Sequence, residues 1–316
     1  MLKPLAVLST LALAAYASLA PASAQAQQVD PAAAGWNKAA LDEAIAYVAS
    51  QKSTGFVVIQ HNRIIVDQNW PLGDGAATFK ALFVHGSYTK TGWSKVTLVQ
   101  ATKITVRNLW EMNSGLKEDL AYETDPDVKF FYNTPAYAIM KQVLEGAANK
   151  SLEDLTREWL TAPAGMSDTS WRKRPGAFAD TGNPTGLVTT PRDIARMGQL
   201  VLDGGMSAKG QRVISKTQLE ALFKPTKTNP SYGHLWWLNG GAYALAPGAS
   251  APRTDGQLIP SAPKDLVAAQ GAQDRKLYVV PSLQLIVVRT GQATPDRDFN
   301  QQLWSRLMKA APNRPD

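Results

Sequence analysis

Residues 55–70 read GFVVIQHNRIIVDQNW, and residues 276–291 read KLYVVPSLQLIVVRTG. In the first stretch two β-branched apolar runs, 56–59 and 64–66, flank His61-Asn62-Arg63. Apolar runs of that length around a polar turn spell a β-hairpin. In the second stretch two apolar runs flank Pro281-Ser282 and spell another. One hairpin lies near each end of the chain, so the strands of both can pair into a single antiparallel sheet. The residues between them are mostly helical in pattern and would cover the sheet or form a lobe beside it. This predicts an α/β (α+β) fold class and one compact unit of two intermingled lobes.

The helical patterns carry their own stop signals. Leu41, Ala44, Ile45 and Val48 recur at helical spacing and predict a surface helix. Residues 104–112 read as a helix entered through Thr105 and ended by Ser114-Gly115. Residues 134–150 predict a helix with Thr134 as N-cap and Pro135 at the first helical position. Ser151 with Asp154 three residues on is a capping box. Residues 189–205 predict a capped helix closed by Gly204-Gly205, 215–225 a shorter one, and 299–310 a C-terminal helix. Residues 25–35 read as a loose polar tail, and 71–95 show no strong period.

Composition removes whole classes of chemistry. The chain has 316 residues, no Cys and three His: His61, His85 and His234. Without Cys there are no disulfides, thiolate zinc sites, iron–sulfur clusters or cysteine nucleophile. The three His show no metal-binding spacing, so no metal and no cofactor is expected. The net charge of +7 comes from scattered bases interleaved with acids. The densest basic cluster, Trp171-Arg172-Lys173-Arg174, reads as a solvated loop, and no nucleic-acid partner is expected.

The first 24 residues read as a secretory signal. Lys3 is followed by a Leu/Ala-rich run over residues 5–20 and by Ala22-Ser23-Ala24, a small-x-small cleavage pattern. A mature domain over residues 25–316, periplasmic or secreted and without stable membrane insertion, is the expectation. Losing Lys3 takes the net charge from +7 to +6.

No G-x-S-x-G, Walker A or dinucleotide-binding glycine motif occurs. A serine nucleophile can also be served by lysine, because S-x-x-K on a helix places both side chains on one face. Two matches exist: Ser87-Tyr88-Thr89-Lys90 and Ser261-Ala262-Pro263-Lys264. Pro263 works against a helix in the second. The first sits at a plausible helix start. Taken alone, the pattern fits either a nucleophile pair or a surface Ser and Lys in a loop. Among the acids, Glu111, Glu118, Asp119 and Glu123 read as solvated charges, and Trp236-Trp237 as core or cleft wall.

Longer segments resemble a known family. They are ITVRNLWEMNSGL (104–116), the stretch from FFYNTPAYAIMK to the Trp at 171, PTGLVTTPRDIARMGQLVLDGG (184–205), YGHLWWLN (232–239) and residues 270–291. In that order they are similar to the serine β-lactamase and penicillin-binding-protein superfamily, in its class C-like branch of esterases, D-aminopeptidases and 6-aminohexanoate-oligomer hydrolases. The resemblance implies a β-lactamase/transpeptidase-like fold. It also implies a serine hydrolase that cleaves an ester, amide or lactam bond of a small-molecule or peptide substrate through an acyl-enzyme.

On the family pattern, Tyr132 of Tyr132-Asn133-Thr134 would assist the nucleophile as base or proton relay. Gln270-Gly271-Ala272 stands where relatives carry K-T-G or H-x-G. It would offer a backbone N–H to an oxyanion but lacks the motif's cation. Ser87 would be the nucleophile and Lys90 its partner. In relatives the S-x-x-K serine opens a long helix, whereas here 13 residues separate Lys90 from Ile104 and Gly92-Trp93 interrupts any helix. The alternative is therefore a catalytically impaired relative, a binding protein or deletion product lacking most of that helix.

Overall fold

The computed structural model describes residues 26–70, 81–83, 98–173, 185–247 and 250–312. In chain order the N-terminal part comprises β1 (Gln27–Gln28), α1 (Lys38–Ser50), β2 (Ser53–Gln60), β3 (Arg63–Asn69) and β4 (Ala81–Phe83). The middle holds α2 (Leu98–Ala101), α3 (Val106–Trp110), α4 (Thr134–Ala148), α5 (Leu152–Thr156), α6 (Ala162–Ala164), β5 (Ser170–Lys173), β6 (Thr185–Thr189), α7 (Pro191–Leu202) and α8 (Lys216–Leu222). The C-terminal part holds β7 (Trp237–Leu238), β8 (Tyr243–Leu245), β9 (Arg253–Asp255), β10 (Val267–Gly271), β11 (Arg275–Val280), β12 (Leu285–Gly291) and α9 (Phe299–Ala310).

The main sheet runs β1-β3-β2-β12-β11-β10-β7, joining both ends of the chain as the two hairpins predict. β12 sits between β2 and β11, and all seven of its residues are buried. A strand covered on both faces needs an unbroken apolar run, which Leu285 to Val288 supplies. The first hairpin turn is tighter than the sequence suggests, and the second is wider, with residues 281–284 between the paired Val280 and Leu285. His61 and Asn62 both take positive φ, 48° and 55°, and Gln60 pairs directly with Arg63. A two-residue loop with both residues left-handed matches strand twist, and Asn tolerates that conformation.

Two expectations are corrected. The sheet is mixed, because β1 runs parallel to β3. Residues 26–36 are no loose tail: β1 joins the sheet, Val29 N–H donates to Ile64 O at 3.0 Å, and Trp36 is buried with its indole on Gln60 Oε1 at 2.7 Å. A buried indole N–H needs an acceptor, and the last residue of β2 provides it.

Period-2 alternation sorts the strand residues onto two faces. Phe56, Val58, Tyr278, Val280 and Val287 face a layer made by α1 and α9. α9 buries Phe299, Leu303, Trp304, Leu307 and Ala310, an i, i+4 stripe with Trp304 edge-on to Tyr278. Val57, Ile59, Leu277, Val279, Ile286 and Val288 face α7. A separate cluster of Leu109, Leu116, Leu120, Ala136, Ile139 and Met140 holds the helical lobe around α3 and α4. β4, β5 and β6 form a second small sheet, so Trp171 to Lys173 lie in a strand instead of a solvated loop.

α7 starts at Thr190, whose hydroxyl accepts from Asp193 N–H at 3.2 Å, with Pro191 at the first position. Its mid-helix glycine is a packing device. A Cβ on Gly198 would lie 2.9 Å from Ile286 Cγ2 and 3.1 Å from Leu277 Cδ1, so the helix backbone rests on the sheet. Gly146 in α4 meets nothing within 4 Å. Gly198→Ala should therefore lose ~1–3 kcal/mol to overpacking against a helix-propensity gain of at most ~1 kcal/mol. Gly146→Ala should collect the gain alone. Thermal melts of the two variants should move in opposite directions, each by a few degrees.

Candidate active site

The site is organised around the start of α4. Asn133 caps that helix: its Oδ1 accepts from Ala136 N–H at 3.1 Å, so the N-cap is Asn133 and not Thr134. Its amide donates to Leu116 O at 2.9 Å and Lys117 O at 2.8 Å. One fully buried side chain thus ties the helix to the loop after α3. That α3 is shorter than expected, at five residues, but it opens on Thr105 in a capping box with Asn108.

Tyr132 precedes the cap and is fixed by aromatic neighbours. Its ring stacks on Trp237 with centroids 5.9 Å apart and an interplanar angle of 16°. Tyr232 meets it edge-on at 6.1 Å, and Phe130 packs edge-on against both Tyr232 and Trp237. Such offset and edge contacts are favourable beyond simple burial. Burial pushes the Tyr132 phenol up to about 12. No other cause contributes, so no cation among the described residues acts on it. In this surrounding the phenol is a neutral proton donor.

Trp237 carries the geometry onward. It pairs in register with Ala268 of β10, two residues before Gln270. Tyr132 is thereby joined through Trp237 to the strand that ends in Gln270-Gly271-Ala272. Gln270 and Gly271 are half-buried and Ala272 is exposed. Ala272 opens a tight turn to Asp274 in which Gln273 and Asp274 both take positive φ.

The missing cation is found one strand away. Gln270 stands opposite Lys276 of β11, and the Lys276 ammonium donates to Gln270 Oε1 at 2.7 Å. Lys276 is buried and pairs with Asp274 at 3.3 Å. Burial lowers the lysine's proton affinity, and Asp274 partly restores it. Burial also opposes the charge on Asp274, but Lys276 and two hydrogen bonds from Thr294 outweigh it and hold the carboxyl below its usual range. The Lys276 charge is consumed internally. Arg275, opposite Gly271, donates to Ala272 O at 3.4 Å and Gln273 Oε1 at 3.0 Å, and burial pushes it down to about 10.

A second polar group links lobe and sheet. His234 Nε2 lies 2.9 Å from Glu111 Oε1, and its ring stacks on Trp110. Asn113 donates to Glu111 Oε2 at 3.1 Å. Glu111 is thus no solvated charge. The sequence missed Lys276, Asn133 and this His–Glu pair because each gains meaning only from a partner distant in the chain. The second S-x-x-K match is not on a helix, as Pro263 implies: Ser261 lies in a loop with its hydroxyl donating to Gln301 O at 2.9 Å. Ser87 and Lys90 lie outside the described residues.

A family model described as Beta-lactamase matches residues 93–311. This chain belongs to the beta-lactamase family of serine hydrolases. The match begins at Trp93, just after Lys90. No curated protein matches the chain. Among solved structures, a putative beta-lactamase from Bacteroides dorei is similar with a TM-score of 0.63 and 13% identity, covering 87% of this chain and 99% of that one. EstCE1, a hydrolase with promiscuous acyltransferase activity, has a TM-score of 0.57 and 12% identity, covering 85% and 98%. A beta-lactamase/D-alanine carboxypeptidase from Yersinia pestis, complexed with citrate, has a TM-score of 0.55 and 19% identity, covering 86% and 98%. At these identities the likeness is one of fold: the β-lactamase/transpeptidase architecture, with N- and C-terminal strands in one sheet flanked by helices.

The Tyr132 phenol gives a direct test. A group raised in the folded state contributes stability that is complete below the unfolded value of 10 and is lost as pH rises through about 12. The ultraviolet difference titration of the protein against Tyr132→Phe should show no Tyr132 phenolate up to about pH 10. A phenolate signal well below that range would require a cation at the hydroxyl.

Proposed function

We propose that this chain is an exported serine hydrolase that cleaves esters or amides of uncharged acyl groups through a serine acyl-enzyme. Ser87 Oγ attacks the carbonyl carbon, and its proton passes to Lys90 with Tyr132 as relay to the leaving group. Backbone N–H groups at Ser87 and near Ala272 hold the oxyanion. Water then attacks the acyl-enzyme, and Ser87 leaves as the alcohol. The mature protein begins near Gln25, in the periplasm or outside the cell.

The observation that carries this reading is Tyr132 clamped on Trp237, which pairs with the strand ending in Gln270-Gly271-Ala272. A tyrosine and a strand end are thus held together in a chain of the beta-lactamase family. Hydrolase and carboxypeptidase activities in the names of EstCE1 and the Yersinia pestis protein agree with acyl transfer as the reaction class.

Incubation with a fluorophosphonate probe should add one adduct to the intact mass, and the adduct should vanish in Ser87→Ala. An adduct at another residue would retain the enzyme and discard Ser87. A second reading, the catalytically impaired relative, is favoured by the family match beginning only at Trp93. Absence of any adduct on a cooperatively melting protein would support it.

The state of Gln270 bears on the substrate. Its amide is held by Lys276, whose charge is already matched by Asp274. Among the described residues the cation that touches Gln270 is thus already matched, so a substrate carboxylate placed at Gln270 meets a neutralised lysine, and an anion buried without a partner is costly. Small p-nitrophenyl esters should therefore be turned over with kcat/KM at least ~100-fold above that for a carboxylate-bearing β-lactam, a margin within reach of one unmatched charge. Comparable rates on both would overturn the preference for uncharged acyl groups.

A further inference from the structure

A second cleft lies on the other side of the main sheet from the Tyr132 cluster, between α7 and the β2–β3 hairpin. Its cavity volume is about 110 Å³. Val57, Ile59 and Ile64 line it from the sheet, and Ala195 and Leu200 from α7. The apolar wall is interrupted at one end by Gln199 and Asp203, one helical turn apart at the end of α7.

Those two side chains are poorly matched by the protein itself. Gln199 Nε2 donates to Asp203 Oδ1 at 2.9 Å. Gln199 Oε1 and Asp203 Oδ2 are shielded from solvent, and among the described residues neither has a hydrogen-bond donor. Two acceptors left without donors carry a desolvation cost that any incoming N–H would relieve. Burial raises the proton affinity of Asp203. The C-terminal end of α7 adds its own negative potential at the same place.

The cations at the other end of the cleft are already spoken for. Arg192 Nε donates to Asp67 Oδ2 at 2.7 Å. Arg196 pairs with the buried Asp193, which also accepts from Asp168 N–H and Thr169 Oγ1. The cleft therefore offers unmatched acceptors at one end, neutralised arginines at the other, and an apolar wall between.

We propose that this cleft binds a primary alkylammonium, with the ammonium donating to Asp203 Oδ2 and Gln199 Oε1 and the alkyl chain lying along Val57, Ile59 and Ile64. Two unmatched acceptors ask for at least two donors on one charged group, which an ammonium carries and an alcohol or carboxylate does not. The oxygens are covered in the free chain, so the Asp203 side chain turns toward the cleft as the ligand enters. The site is independent of the acyl-transfer chemistry above.

The test is calorimetric titration of the full chain with n-hexylammonium, 1-hexanol and hexanoate near neutral pH. Hexylammonium should bind roughly tenfold or more tightly than 1-hexanol, the worth of one charged hydrogen bond, and hexanoate should be weakest. Asp203→Asn should erase the advantage over 1-hexanol. Ala164→Trp, on the cleft wall away from the carboxylate, should weaken amine and alcohol together. Equal affinity for amine and alcohol, no binding of either, or full binding in a folded Asp203→Asn would each overturn the proposal. The ligand comparison is made on the unaltered protein, so it stands even if a variant fails to fold.

Discussion

The guanidinium of Arg289 is fully buried, and two separate segments hang on it. Its Nε donates to Ser53 Oγ at 2.9 Å and its Nη2 to Gln51 O at 2.6 Å, where α1 gives way to β2. Its Nη1 donates to Gln273 O at 2.9 Å and Asp274 O at 3.1 Å, in the turn that follows Ala272. Burial pushes the group down to about 10, so the charge is held at a cost. Hydrogen bonds from a charged donor contribute roughly 1.5–3 kcal/mol each, and several are needed to offset that desolvation. The planar fork of Arg reaches these acceptors at once, where Lys offers only a point charge.

That one group couples the N-terminal hairpin to the C-terminal one at the end where the candidate oxyanion strand stops. Arg289, Lys276 and Gln270 form a row across β12, β11 and β10, set by the pairing register. A one-residue slip would send the whole row to the α7 face. The turn over 272–274, with two left-handed non-glycine residues, is held by Arg289 from below and by Arg275 across it. Strained backbone of this kind persists only where the surroundings over-determine it. Site geometry and core packing are thus one problem in this fold.

The periodic parts of this architecture were legible in the sequence and the relational parts were not. Both hairpins and the helices over 134–150, 189–205 and 299–310 follow from local pattern, because burial of one face imposes a period on the chain itself, and so do the capped starts at Ser151 and Thr190. β1 escaped notice because two residues, Gln27 and Gln28, carry no period; parallel pairing with β3 orders them. The shift of the α4 cap from Thr134 to Asn133 has a similar origin. Both residue types can cap, and the choice falls to Asn133 because its amide also reaches Leu116 O and Lys117 O. Of the site, Tyr132 and the strand at 270–272 were readable as motif positions. The cation beside Gln270 was not, since Lys276 looks like any strand lysine until the register sets it opposite.

Within the site, contacts among the described residues already tie the tyrosine to the strand end. Tyr132 rests on Trp237 and Tyr232, Asn133 fixes the helix start, and Arg289 with Lys276 fixes the strand end. The family match, too, begins after Lys90 and runs across all of these residues. Stability and register are carried by these residues, and in the proposed mechanism nucleophilicity is carried by Ser87 and Lys90. Selection on the first set would keep the wall of the site intact whatever happened to the second. The acid–base state of Tyr132 is the point where the two sets meet. Burial among the described residues raises the phenol, so a role as base depends on a cation beyond those residues, and a role as neutral donor does not.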